Sequence, residues 1–283
     1  MISSITSISQ AEYSNEPETL PILRVNLLER RITCITVEGI INVIQSACNR
    51  NKQIVVANYN VHSFNLSMQL PWFYEFLQSA EIAHCDGSGI LKGLEFMGLR
   101  LPIQYRASYS KLMPELLDSC NQQSRSIFLL GSKPEIVAEA QEQLKQQYPN
   151  ISVAGHHGYF DKANPQQNQE IIEEINRFQP NILIVGMGMP TQEKWIQQYR
   201  NQLEVNAILP GGAVIDRLAG IVPDCPTFIA NLGLEWLYRL CREPKRLASR
   251  YLLGNPAFLF NVALAKFLEV SKLQVEEKTF PLI

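Results

Sequence analysis

Asp86 lies in the segment His-Cys-Asp-Gly-Ser-Gly-Ile, in which the acidic residue precedes two glycines and apolar residues flank both sides. A carboxyl group held in a tight and mostly apolar loop has a raised pKa and can act as a general base. Aspartate before glycine also commonly caps a turn. The residue types therefore support two interpretations of Asp86, a catalytic base and a turn cap.

Three other segments place glycine between a short aliphatic run and a helical pattern. The glycines concerned are Gly131, Gly186, Gly188, Gly211 and Gly212. Glycine lets the backbone come close to a ligand, and the N-terminus of the next helix presents free N–H groups to an anion. None of the segments matches a dinucleotide-binding or P-loop motif, and short turns often need glycine for their own geometry. Three such loops in one sheet favour a ligand that carries phosphate.

The sequence predicts no metal site and no cofactor. His156 and His157 lie near Asp161, but adjacent residues point in different directions and the other histidines are isolated. The chain also lacks an Asp-x-Asp pair, which often holds a divalent ion against a nucleotide diphosphate. If a diphosphate leaves during the reaction, arginines, backbone N–H groups or helix termini must stabilise its charge.

Arginines recur near the C-terminus at spacings that would align them on one face of a continuous helix. They are Arg239, Arg242, Arg246 and Arg250, and Pro244 interrupts the run. A solvated basic face is the ordinary explanation of such a pattern. Here the arginines alternate with tryptophan, tyrosine and leucine, a combination typical of a helix that lies in the surface of an anionic membrane.

Aliphatic runs that alternate with helical patterns predict an α/β fold with a Rossmann-like parallel sheet flanked by helices. The predicted strands are Gln53–Asn58, Ser126–Leu130, Ile151–Ala154, Ile182–Val185 and Ala207–Leu209. The predicted helices are Val37–Asn51, Pro71–Ala80, Lys111–Gln122, Pro134–Gln147, Pro165–Phe178 and Thr191–Leu203. In such sheets ligands bind beyond the carboxyl ends of the strands, where the glycine segments lie.

A chain of 283 residues is long enough for one large domain and an appendage. We expect a disordered tail over residues 1–20, an α/β catalytic domain over 21–228 and a helical, membrane-associating appendage over 229–283. The net charge of −2 predicts no binding to nucleic acid. We find no signal peptide and no apolar run long enough to span a bilayer. Six cysteines without metal-binding or Cys-x-x-Cys spacing indicate reduced thiols in a cytosolic protein.

Several of these segments resemble the WecG/TagA/CpsF family of bacterial glycosyltransferases. The resemblance rests on Val-Gly-Met-Gly-Met-Pro-Thr-Gln-Glu-Lys-Trp, on Asp-Gly-Ser-Gly, and on Gly-Leu-Glu-Trp-Leu-Tyr-Arg-Leu followed by Glu-Pro-x-Arg. It extends from about Val25 to Phe267. It implies an inverting, metal-independent transfer of a sugar, often of the N-acetylmannosamine type, from a UDP-sugar to a polyprenyl-diphosphate-linked saccharide. The enzyme would act in cell-surface polysaccharide synthesis, peripherally on the inner face of the plasma membrane.

The resemblance also implies roles for individual residues. Asp86 matches the catalytic base, Asn60 matches an asparagine near the sugars, and Arg106 matches an arginine that stabilises the diphosphate. Gln192 and Glu193 match a Pro-x-Gln-Glu motif that holds the nucleotide-sugar. The other donor- or diphosphate-binding candidates are Asn58, Gly131, Gly186, Gly188, Gly211, Gly212, Arg239, Arg246 and Arg250. The arginines would close the appendage over the active site.

The sequence departs from the family pattern at Asn58, Tyr109, Lys111 and Asp224, which bear on the identity of the donor sugar. An alternative function is a non-catalytic module that binds a UDP-sugar and recruits partners through its tail. An oxidoreductase is disfavoured because the dinucleotide-binding motif is missing. The apolar tail would also promote formation of a homo-oligomer when lipid is absent.

Overall fold

The computed structural model describes residues 19–223, 225–268 and 273–281 of the chain. Nine strands within these ranges are β1 (Thr19–Leu27), β2 (Arg30–Cys34), β3 (Ile54–Tyr59), β4 (Ile82–Cys85), β5 (Ser126–Gly131), β6 (Ser152–His156), β7 (Ile182–Gly186), β8 (Ala207–Pro210) and β9 (Gln274–Pro281). They form one sheet in the order β6-β5-β7-β8-β3-β4-β2-β1-β9. Neighbouring strands from β6 to β2 are parallel, and β1 pairs antiparallel with β2 and β9.

Helices connect the parallel strands and continue after the last of them. They are α1 (Val37–Asn49), α2 (Val61–Gln69), α3 (Pro71–Ser79), α4 (Ser88–Phe96), α5 (Tyr109–Gln122), α6 (Pro134–Gln147), α7 (Pro165–Phe178), α8 (Thr191–Tyr199), α9 (Val214–Leu218), α10 (Thr227–Asn231), α11 (Glu235–Arg242), α12 (Pro244–Ala248) and α13 (Gly254–Phe267). A π-helical turn, Ser249–Leu253, joins α12 to α13. Proline occupies the first turn of α3, α6 and α7, where its missing N–H group removes no helical hydrogen bond.

Two apolar layers cover the two faces of the sheet. One layer contains side chains of α1, α5, α6 and α9, among them Ile44, Leu116 and Ile215. The other contains side chains of α2, α3, α4, α7, α8 and α13, among them Phe64 and Trp195. Because both faces are covered, the central strands β3 and β7 are buried along their whole length and are mostly apolar, as is typical of a parallel sheet.

Helix α13 belongs to the second of these layers, although it lies in the predicted appendage. Phe258 is almost fully buried, and its ring meets that of Phe64 edge to face with centroids 5.1 Å apart. The Asn65 side chain donates a hydrogen bond of 2.7 Å to the Gly254 carbonyl at the start of the helix. The appendage is therefore anchored on α2, next to the carboxyl end of β3.

The chain returns to the sheet at its C-terminal end. Strand β9 pairs with β1 over eight residues, from Gln274 opposite Asn26 to Pro281 opposite Thr19. The prediction of a helical appendage over 229–283 is therefore wrong for residues 274–281. Charged and polar residues dominate Gln274–Pro281, so the segment lacks the aliphatic run that marked the central strands, and it lies at the edge of the sheet where such residues are common.

The five predicted strands and six predicted helices are confirmed, with their ends shifted by a few residues. Prediction missed β1, β2, β4, β9, α2, α4 and α9. Strand β4 has only four residues, and α2 has many small polar side chains and a weak apolar stripe. Most of the predicted disordered tail, residues 1–18, lies outside the described residues, whereas residues 19 and 20 begin β1.

Among the described residues, we find no helix that is both long enough and apolar enough to cross a membrane.

Candidate active site

A cleft of about 950 Å³ opens at the carboxyl ends of β3, β4, β5, β7 and β8. Its floor is built from the loops that follow these strands, and its far wall is built from α11, α12 and the start of α13. A parallel sheet places ligands at this end because the strand-to-helix loops and the helix N-termini converge there. The cleft is therefore the position in which the glycine loops and the C-terminal arginines could act together.

Asp86 follows β4 directly and lines the cleft. Its backbone N–H donates to the Tyr59 carbonyl at 2.8 Å, which extends the pairing of β3 and β4 by one bond. Gly87 then has a φ of 98°, a conformation that side chains disfavour, and the chain turns into α4. The first turn of α4 receives no side-chain capping bond, so Asp86 does not cap this helix.

Asn60 follows β3, the strand next to β4, and caps the N-terminus of α2. Its side chain lies beside Asp86. Its side-chain oxygen accepts hydrogen bonds from the N–H groups of His62 and Ser63, each at 3.0 Å, and the Ser63 hydroxyl accepts from the Asn60 N–H in return. This capping box fixes the Asn60 side chain at the rim of the sheet. Its amide nitrogen points to Asn58, whose side-chain oxygen lies 3.4 Å away.

Burial is the main influence on the Asp86 carboxyl, and it raises the pKa. The Asn60 amide and the guanidinium groups of Arg239, Arg217 and Arg250 lower the pKa and offset part of this effect. A carboxylate with a raised pKa accepts a proton more readily than an exposed aspartate does. The environment of Asp86 is thus suited to a general base.

The glycine loops lie against one another along the floor of the cleft. Gly131 has a φ of 153°, and a side chain at this position would collide with the carbonyl of Gly186. Gly186, Gly188, Gly211 and Gly212 line the cleft, whereas Gly131 lies just beneath Ser132, which lines it instead. The close approach of two loops therefore accounts for glycine at position 131 without a ligand contact.

Gln192 and Glu193 are buried beneath the cleft and do not line it. The Gln192 side-chain oxygen accepts hydrogen bonds from the N–H groups of Gly188 (3.1 Å) and Gly212 (3.0 Å), and its amide nitrogen donates to Glu193 at 2.8 Å. Gln192 therefore connects two glycine loops. The predicted donor-binding pair lies in a position that shapes the loops and does not reach the surface of the cleft.

Positive charge predominates around the cleft. The cationic side chains that line it are Lys133, Lys162, Arg217, Arg239, Arg246 and Arg250, and the carboxylates are Asp86, Asp216 and Glu235. Two of these carboxylates have local partners, since Asp216 accepts from Ser132 at 2.7 Å and Glu235 pairs with Arg217 at 3.6 Å. An excess of cations in a cleft with glycine loops favours an anionic ligand.

The C-terminal arginines reach the cleft from separate elements. Arg239 lies on α11, and Arg250 lies on the π-helical turn, because Pro244 breaks the predicted continuous helix. The Nε atoms of both are buried without a hydrogen-bond partner in the described part of the chain. Arg246 also lines the cleft and makes a two-bond pair with Glu243 at 2.6 and 2.8 Å.

Arg106 lies outside the large cleft. Its guanidinium donates to the Ser88 hydroxyl at 3.2 Å and to the Ala230 carbonyl at 2.5 Å, and so joins α4 to α10. It lines a second cavity of about 450 Å³ on the other side of Asp86. This second cavity has apolar walls of Trp236, Tyr251, Leu252, Phe258 and Leu259.

The two cavities share one wall. The residues that line both are Asn60, His62, Asp86, Glu235, Arg239 and Arg250. Asp86 therefore faces a polar, glycine-lined cleft on one side and a partly apolar cavity on the other. The arrangement can bring two different ligands to one carboxylate.

Sequence reasoning did not predict several residues of the cleft. Ser132, Lys133, Lys162, Arg217 and Glu235 were not proposed, although Ser132, Lys133 and Arg217 lie in or after the segments that the glycines had marked. Their position beyond a strand end was the available signal. Within the described ranges, no three histidine, cysteine, aspartate or glutamate side chains are grouped as metal ligands.

Comparison with known proteins identifies the family. The model of the glycosyl transferase WecG/TagA/CpsF family matches residues 25–272. The chain belongs to this family. Two N-acetylglucosaminyldiphosphoundecaprenol N-acetyl-beta-D-mannosaminyltransferases, from Staphylococcus aureus strains MW2 and NCTC 8325, are each 33% identical to it over 230 residues, or 81% of this chain and 87% of theirs. The protein is thus a glycosyltransferase, as the resemblance implied.

Proposed function

We propose that this glycosyltransferase moves a sugar of the N-acetylmannosamine type from UDP to a polyprenyl-diphosphate-linked saccharide, with inversion and without a metal ion. The observation that carries the proposal is the position of Asp86 between the two cavities. A group that deprotonates an acceptor must touch both the acceptor hydroxyl and the site of the donor sugar. The names of the Staphylococcus aureus relatives support the choice of sugar and acceptor.

The large cleft is the proposed donor site. Its glycine loops and helix N-termini would bind the diphosphate, and Arg239, Arg246 and Arg250 would stabilise the charge that develops as UDP leaves. Two of these arginines have a buried Nε atom without a partner among the described residues, and a phosphate oxygen would provide one. These arginines would stabilise the negative charge of the leaving diphosphate, as a divalent ion does in other transferases.

The second cavity is the proposed acceptor site. Its aromatic and leucine side chains suit the isoprenoid part of a lipid-linked saccharide, and Lys92 and Arg106, which also line it, would bind the acceptor diphosphate. The acceptor hydroxyl would give its proton to Asp86 while its oxygen forms a bond to the anomeric carbon. The bond from this carbon to the diphosphate oxygen breaks, and UDP leaves with the electron pair. A single displacement of this kind inverts the anomeric centre.

An exposed apolar surface on α13 supports attachment to a membrane. We define it by Phe96, Leu259, Phe260, Leu264 and Phe267, each of which is exposed. The four residues of α13 lie on one side of the helix, opposite the buried Phe258, Val262 and Ala265. Such a surface suits the boundary between lipid headgroups and acyl chains. We propose that it places the second cavity at the bilayer, where the acceptor is found.

The central test is Asp86→Asn, with Asp118→Asn as a control on an exposed position of α5. We expect the first variant to lose transfer by about 10²- to 10⁴-fold, because an amide cannot accept the proton, and to bind UDP as the wild type does. The control should match the wild type in both assays. Full activity of Asp86→Asn would contradict the role of base, and failure of the wild type to bind UDP would contradict the whole proposal.

A further inference from the structure

Tyr109 has a buried hydroxyl group that makes no well-formed hydrogen bond to a described residue. The residue begins α5 and is 8% exposed, and Asn58 is the polar side chain near enough to bond weakly to its hydroxyl. Its ring lies against the buried His84, with centroids 5.9 Å apart, so the side chain is held in place. A buried donor without a partner costs free energy, and a ligand that supplies an acceptor recovers it.

The hydroxyl lies among the groups at the floor of the large cleft. The Asn58 side chain is its weak hydrogen-bonding neighbour, and the carboxyls of Asp86 and Glu193 are close enough for their charges to act on it. Tyr109 also lines the cleft itself. A group that binds beside Asp86 belongs to the reacting end of the donor, because the proposed base takes the acceptor proton as the acceptor attacks the anomeric carbon of the sugar.

Tyr109 also separates two spaces. A side cavity of about 300 Å³ lies between α5, α6 and α9, and it shares Tyr109, Val214 and Arg217 with the large cleft. The tyrosine ring is therefore part of a partition. If the ring were absent, the cleft would extend toward this side cavity.

We propose that Tyr109 determines which donor sugar the enzyme accepts. Its hydroxyl hydrogen-bonds an oxygen-bearing substituent of the sugar ring, and its aromatic ring limits the size of that substituent. The inference rests on the proposed function, since it takes the large cleft as the donor site. It assigns to Tyr109 a contact with the substrate and no part in moving the proton.

Two substitutions separate the two parts of this role. Tyr109→Phe removes the hydroxyl and keeps the partition, whereas Tyr109→Ala removes both. Tyr199→Phe is the matched control, because Tyr199 is also buried but lines none of these three cavities. The variants would be compared in transfer from UDP-N-acetylmannosamine, from analogues that lack one ring substituent, and from analogues with a longer N-acyl chain. Thermal unfolding of each variant would report loss of folding separately.

We expect Tyr109→Phe to raise KM for UDP-N-acetylmannosamine by roughly threefold to tenfold, the usual value of one neutral hydrogen bond. The variant should lose its preference over one of the deoxy or deacetyl analogues, and kcat should change little. Tyr109→Ala should gain activity with the longer N-acyl donors relative to the natural one. A loss of stability alone would lower activity with all donors equally and would leave these ratios unchanged.

Unchanged donor preference in both Tyr109 variants, with Tyr199→Phe behaving as the wild type, would overturn the inference and leave the proposed function intact. If the wild type transferred from none of the UDP-sugars and did not bind UDP, the proposed function itself would fail. The two outcomes are distinguished by the wild-type assay alone.

Discussion

Two carboxyl groups near the cleft, Asp86 and Glu193, differ in what surrounds them. Asp86 lies among three guanidinium groups and an amide, which oppose the effect of burial on its pKa. Glu193 lies beneath the loops, where burial dominates and raises the pKa to about 7. Its Oε2 atom has no hydrogen-bond partner among the described residues. At the scale of single residues, position separates the two groups, since Asp86 lines both cavities and Glu193 lines neither.

Glu193 predicts a specific dependence of stability on pH. The pKa is raised from 4.5 to about 7 in the folded protein, so the folded state holds a proton that the unfolded state releases in this window. The resulting stabilisation is complete below about pH 4.5 and is lost as the pH rises through about 7. Glu193→Gln stays neutral and can keep the oxygen that accepts from Gln192. We expect the variant to melt above the wild type at pH 8 and the difference to shrink toward pH 5.

Thermal unfolding followed by circular dichroism across this range measures the difference. Glu173→Gln, at an exposed position of α7, serves as the control and should show no such trend. If the difference in melting temperature between Glu193→Gln and the wild type stayed constant with pH, the Glu193 carboxyl would not titrate in the folded protein over this range.

At the scale of elements, the predictable parts were those with a strong local pattern. The central strands are aliphatic because both faces are covered, and α6 and α7 begin at prolines, so these elements could be located from the sequence. Strand β9 could not, because its pairing with β1 joins residues about 250 positions apart and its own residues are mostly polar. Pairing between strands that are distant in the sequence is not encoded in the local pattern of apolar and polar residues.

The same distinction applies to the site. Asp86, Asn60 and the glycines could be named as candidates because they stand in recognisable segments. The position of Gln192 beneath two loops depends on how β7 and β8 lie side by side, and no spacing in the sequence encodes that contact. The shared wall of the two cavities likewise requires α11 and the π-helical turn to fold back over the sheet.

Helix α13 offers a test of whether the appendage is part of the main fold. Phe258 is 1% exposed and packs on Phe64, so Phe258→Ala should lower the free energy of unfolding by about 3 to 5 kcal/mol. Phe260, two residues away, is 66% exposed. Phe260→Ala should change the free energy of unfolding by about 0.5 kcal/mol or less. Urea denaturation without lipid measures both values. Equal effects of the two substitutions would contradict the docking of α13.

At the scale of the whole molecule, one side of α13 joins the fold and the other side is free to meet a bilayer. Replacing both Phe260 and Phe267 with serine removes much of the exposed apolar surface. We expect affinity for vesicles that contain phosphatidylglycerol to fall by at least about tenfold, since each phenylalanine loses apolar burial in the interface. Sedimentation with vesicles measures this change.

The control is Val275→Ser, at an exposed position of the edge strand β9, which should bind vesicles as the wild type does. Undiminished sedimentation of the double variant would show that this surface of α13 is not the attachment site.

The pairing of β9 with β1 limits what deletion experiments can reveal about the appendage. Cutting the chain after residue 230 removes the helices that we propose face the lipid, and it also removes the eight residues of β9 that pair with β1. The bare N–H and C=O groups of that strand would then be open to pairing with other molecules. A shortened chain could therefore self-assemble and sediment even in the absence of vesicles. Point substitutions on the exposed side of α13 avoid this problem.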